Sequence, residues 1–77
     1  MSTALDFIRV ASGDITGTNF SSQLLRLIFK ADMMNRKKLE QVFPVHVKLH
    51  KWWLDSDPEP TDQQIHEFVK NQESLWK

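Results

Sequence analysis

The chain of 77 residues contains no cysteine. That removes disulfides, thiolate metal sites and cysteine nucleophiles together, and it fits a reducing compartment. Long apolar runs are missing as well. The longest reach three residues, as at Leu27–Phe29, against the roughly 20 that a membrane helix needs. The opening MSTALDFIRVASGD has neither a basic n-region nor an apolar h-region, so no secretory signal is expected. These absences point to a soluble, cytoplasmic protein with no membrane contact. Glycine is scarce at two residues, both in GDITGTN, which matches neither a P-loop nor GxGxxG. GxSxG is absent, and nothing fixes the Ser, His and Asp residues as a triad. A domain this small buries only about 60% of its unfolded surface and has little room for a pocket beside its core. The expectation is a protein that is not an enzyme, with no cofactor and no small-molecule substrate.

What the chain does have is aromatic area and segregated charge. Five Phe and three Trp supply large apolar surface per residue. Net charge is zero, yet residues 26–51 carry seven basic side chains against two acidic ones (+5), and residues 52–77 carry two against six (−4). Either the acidic end neutralises the basic middle, within the fold or across a dimer, or the basic segment faces an anionic partner.

Helix signals dominate. In TALDFIRVAS, Leu5 with Ile8, and Phe7 with Val10 and Ala11, fall at helical spacing and predict a helix over about 3–12. A short strand is the alternative, since Phe, Ile and Val lie close together. Gly13 ends this element, and residues 13–19 form a loop. In FSSQLLRLIFKA, Phe20, Leu24, Leu25, Leu27, Ile28, Phe29 and Ala31 cover more than half the helical wheel. So wide a stripe predicts the central helix of the domain, covered on several sides or partly by a second subunit. Asp32 is placed to cap the next helix, whose inward stripe is Leu39, Val42 and Phe43 and in which Arg36 and Glu40 are spaced to pair. Pro44 ends that helix near Phe43 and opens another at its first turn. Asp55–Pro60 is a stiff acidic linker (residues 55–60), after which Thr61 and Gln64 form a capping-box pattern. The last helix shows Ile65, Phe68, Val69, Gln72 and Trp76 on its apolar face. Its free choice is to fold back or to reach another molecule.

The stretch FPVHVKLHKWWL carries the most chemistry. His46 and His50 have the i, i+4 spacing of two helical metal ligands, with His66 as a third histidine. HVKLH lacks the Glu that follows the first His in zincins, so no metal is expected. Lys48, Lys51, Trp52 and Trp53, with Arg36, Lys37 and Lys38 before them, hold the ingredients of nucleic-acid binding: cations for phosphate and aromatics for stacking. The helix after Pro44 offers no Asn, Gln, Ser or Arg for base edges, so such binding would be nonspecific. The competing reading makes Val45, Leu49 and Trp52 an inward stripe, with His46, His50 and Lys51 at a solvated edge. Tryptophan is also enriched at interface hot spots.

The block LLRLIFKADMMNRKKLEQVFPVHV spans residues 24–47. Through Leu24, Leu25, Ile28, Lys30, Ala31, Asp32, Asn35, Leu39, Phe43, Pro44 and Val47 it resembles short uncharacterised helical proteins of phages and mobile elements. The resemblance implies a small accessory protein that acts by binding a larger host or phage protein. It implies no activity and no functional residues.

The sequence thus predicts an all-α protein, a single small domain over residues 1–77 of four to five short helices in a compact bundle. The expected core is Leu24, Leu25, Ile28, Leu39, Val42, Phe43, Leu49, Trp52, Phe68 and Val69. The expected function is a non-catalytic protein-interaction module that binds a larger partner, as a monomer or a homodimer, with nonspecific nucleic-acid binding through residues 36–51 as the alternative. The residues expected to meet a partner are Arg36, Lys37, Lys38, Lys48, Lys51, Trp53 and Trp76.

Overall fold

Each helix begins and ends where its terminal residues dictate. The computed structural model describes residues 3–76, with the backbone alone for Trp76. Helix α1, Thr3–Ala11, closes in a Schellman motif. Gly13 takes φ 93°, its N–H donates to the Val10 carbonyl, and Asp14 N–H donates to the Arg9 carbonyl. In the loop, the Asp14 carboxylate accepts from the Thr16 N–H at 2.8 Å and hydroxyl at 2.6 Å. Gly17 allows close passage, since a Cβ there would sit 2.7 Å from Ser22 Oγ. Arg26 fastens the same place by donating to the Gly17 carbonyl at 2.8 Å.

Helix α2, Phe20–Lys30, follows Asn19, whose side chain donates to the buried Asp6 carboxylate of α1 at 2.9 Å. Helix α3, Met33–Val42, is capped as expected: Asp32 Oδ1 accepts from the Asn35 N–H at 2.8 Å. Phe43, at φ −127°, ends α3 and precedes α4, Pro44–Asp55, with the proline in its first turn. The capping box of α5, Asp62–Trp76, forms in both directions: Gln64 N–H donates to Thr61 Oγ1 at 3.2 Å, and Thr61 N–H donates to Gln64 Oε1 at 2.9 Å.

The five helices make an all-α domain, with no strand among the described residues. Helix α4 packs against α2, α3 and α5, while α1 packs against α2 and α5. Four helices thus close a ring, and α3 rests on the outside of α4. The last helix folds back onto its own chain. The radius of gyration, 11.6 Å, agrees with the about 11.5 Å expected of a compact chain this long.

The core contains Ala4, Phe7, Leu24, Leu25, Ile28, Val47, Leu49, Ile65 and Val69. Leu39, Phe43, Trp52 and Phe68 pack against it half-buried. Three expectations are corrected. Val42 is 64% exposed, because α3 turns little of itself inward and contributes no buried residue. His50 is 3% exposed, far from a solvated edge. The hub is α4, and α2 leaves Phe20 and Leu27 exposed at 67% and 51%. Alpha-helix α4 buries a wider arc than its apolar residues suggest because three helices surround it.

Leu25→Ala should cost about 3 kcal/mol through the cavity it opens. Val42→Ala should stay within about 0.5 kcal/mol, as for other exposed positions. Urea denaturation of the two variants measures both.

Candidate functional site

Helix α3 joins the fold through short breaks, Ala31–Asp32 before it and Phe43 after it. Its sequence, MMNRKKLEQV, is mostly polar, so it lies on α4 without sinking into it. A recess forms on each of its flanks.

The first recess lies between α3 and α4 and encloses about 290 Å³. Met33, Arg36, Lys37 and Glu40 line it from α3, and Val47, His50 and Lys51 line it from α4. Val47 and His50 are its deepest members, both buried. The His50 ring meets the Phe29 ring edge-on at 4.5 Å. Its Nδ1 is buried with no hydrogen-bond partner, a situation that costs about 1–3 kcal/mol. Burial, and then the nearby Arg36 charge, push the His50 pKa below 6.5, which favours the neutral ring. Arg36 Nε donates to the Ala31 carbonyl at 3.0 Å. The pairing of Arg36 with Glu40 expected from spacing does not form. Glu40 Oε1 instead lies 3.7 Å from Lys51 Nζ, across the recess. With the lysine largely exposed, that ion pair contributes little to stability.

The second recess lies between α2 and α3 and is apolar. Phe20, Leu24, Leu27, Leu39 and Phe43 line it with Gln23, and the Phe20 and Phe43 rings stand 5.6 Å apart. It continues past Leu27 and Leu39 to Lys30 and Lys38.

The two helical histidines part company. His46 Nε2 is hydrogen-bonded to Ser21 Oγ at 3.1 Å. Burial lowers the His46 pKa below 6.5, against the opposing pull of Glu73 and Asp6. No carboxylate hydrogen-bonds to His46 among the described residues, so the Ser–His contact stands without a third member. Nor do three His, Asp or Glu side chains come together to hold a metal among those residues.

Of the residues expected to meet a partner, Arg36, Lys37 and Lys51 share the first recess. Lys38 borders the second. Lys48 lies apart, beside Pro44, Val45, Gln72 and Leu75. Trp53 is half-buried, with its ring edge-on to Phe7 and to Phe29 at 5.8 Å each. The Trp76 side chain lies outside the described residues. Sequence reasoning missed the depth of His50 and Val47 and the lining role of Met33 and Glu40. The available signal for His50 was its place one turn beyond Val47 on a helix flanked on both sides by others. No described helix is long and apolar enough to cross a membrane.

Both histidine shifts have the same consequence. The unfolded chain takes up these protons near pH 6.5, the folded chain only at lower pH, so stability is full above about 6.5 and falls below it. Asp14, held below 3.8 by its Thr16 hydrogen bonds, acts in a separate, more acidic window. Urea midpoints should therefore be constant from pH 7 to 8 and decline from pH 6.5 to 5. A His46→Gln/His50→Gln double variant should show a flatter profile over the same range.

Comparison with known proteins finds no matching family model, curated protein or solved structure, so the functional reading rests on the chemistry of the two recesses.

Proposed function

We propose that this protein is a small non-catalytic interaction module that holds an amphipathic, acid-flanked segment of a larger protein against the α2–α3 strip. The exposed apolar surface carries the reading. Phe20 and Leu27 stand largely in solvent beside half-buried Leu39 and Phe43, on a domain with little core to spare. Contiguous apolar surface of this kind marks interaction sites. Lys30 and Lys38 border it, exposed and without an ion pair among the described residues, and outnumber the one carboxylate there, Asp32, which caps α3. That rim favours a partner with acidic flanks. It opposes a symmetric dimer through the same strip, where like charges would meet.

The nonspecific nucleic-acid alternative has less support. Trp52 stacks on Phe68 at 4.4 Å, and Trp53 is held by Phe7 and Phe29. The basic side chains would have to act on phosphate alone, without an aromatic platform.

Quantitative affinity capture tests the proposal, with wild type compared against Leu27→Asp and Lys30→Glu/Lys38→Glu and folding checked by circular dichroism. A protein partner should be bound by wild type and lost with either variant, Leu27→Asp weakening it by about 2 kcal/mol or more, roughly 30-fold, as at a hot spot. Sedimentation should show a monomer, and mixed-sequence DNA should give no saturable quenching of tryptophan emission at low salt. Partners indifferent to both variants, or an obligate dimer, would sink the reading.

A further inference from the structure

We propose that the recess between α3 and α4 is a second binding site, distinct from the α2–α3 strip, for a small carboxylate carried on an apolar body. Its volume, about 290 Å³, falls just under the about 300–1,000 Å³ seen for ligand pockets. The occupant is therefore small. Three cations, Arg36, Lys37 and Lys51, face one carboxylate, Glu40, and the surplus of positive charge selects an anion. Arg36 spends only Nε on the Ala31 carbonyl. Its terminal nitrogens are uncommitted among the described residues, and a guanidinium edge matches a carboxylate with two parallel hydrogen bonds. Lys37 has no ion pair among those residues and is exposed.

The deep side of the recess selects for the other half of the ligand. Val47 is buried, Met33 is apolar, and the methylene stems of Arg36, Lys37 and Lys51 add to them. A hydrated inorganic ion gains nothing from this lining, whereas an apolar body is stabilised by leaving water. His50 supplies the independent observation. It is 3% exposed, lines the recess, and carries a buried Nδ1 without a partner. Buried polar groups in folded proteins are ordinarily satisfied. When α3 shifts slightly, a ligand carboxylate seated between Arg36, whose charge already reaches this ring, and the imidazole accepts the missing hydrogen bond from an Nδ1–H, while the apolar body lies along Val47 and Met33. The displacement is slight in cost, because α3 contributes no buried residue and segments with few buried contacts open first.

The imidazole signals of the full chain test the site. Sodium hexanoate is titrated at pH 7.5 and constant ionic strength, with His46, His50 and His66 assigned by single substitutions. Hexanamide and inorganic phosphate serve as controls. Hexanoate should shift the His50 signals saturably at about millimolar concentration, leaving exposed His66 unmoved. Arg36→Gln should weaken binding at least tenfold, and so should replacing hexanoate by either control. Lys37→Gln/Lys51→Gln, at exposed positions, gives the same reading should Arg36→Gln fail to fold. Leu27→Asp should bind hexanoate as wild type does, which separates this site from the protein-docking strip. A flat His50 response overturns the proposal. So does hexanamide binding as well as hexanoate, since charge would not be read, or phosphate binding as well, since the apolar body would not be read.

Discussion

The structure depends on the enclosure of α4 by three other helices. Val45, Val47, Leu49 and His50 of this one helix are all buried, an arc wider than a two-layer packing requires. Helices α2 and α5 take the aliphatic side, and Trp52 and Trp53 seal the C-terminal half by ring contacts with Phe68, Phe7 and Phe29. In a domain without disulfides, this aromatic and aliphatic burial is what offsets the conformational entropy of folding. It also carries His50 inside, where a charged ring is disfavoured and one nitrogen is left without a partner.

The same enclosure determines what α3 becomes. Once α2, α4, α5 and α1 close on one another, α3 rests mainly on the outer surface of α4. Its ten residues, none of them buried, act as a partition. One side presents cations above an apolar floor, and the other faces an apolar strip with lysines at its edge. The proposed partner segment and the proposed small carboxylate thus address opposite flanks of one outer helix. Binding at either flank would steady the same element, so the two sites are physically neighbours although their chemistry differs.

Loops and helix ends in this molecule are more fully determined than the surface. The Schellman closure at Gly13, the Asp14–Thr16 turn, the Asp6–Asn19 link and the Arg26–Gly17 contact fix the passage from α1 to α2. That passage brings Ser21 to His46. These ties hold α2 with Phe20 and Leu27 facing out, exposed at 67% and 51%.

Helix number, caps and breaks were legible in the sequence by itself. Asp32, Pro44 and the Thr61–Gln64 box act within four residues of themselves, and local hydrogen bonding decides them before any packing occurs. The core members Leu24, Leu25, Ile28, Leu49 and Val69 were legible for a similar reason, since helical spacing puts them on one face. Which face met which neighbour was decided only in the tertiary structure. The sequence alone gives Val42 and Leu39 equal claims to the interior, yet Val42 faces solvent; it makes His50 an edge residue, yet α3 covers it. Glu40 has Arg36 one turn before it, the less favourable order for a helical pair, and finds Lys51 across the recess instead. Periodicity describes a helix against an unspecified partner. How many neighbours each helix packs against, many for α4 and chiefly α4 for α3, is a property of how the chain closes on itself, and it set both the buried histidine and the two open recesses.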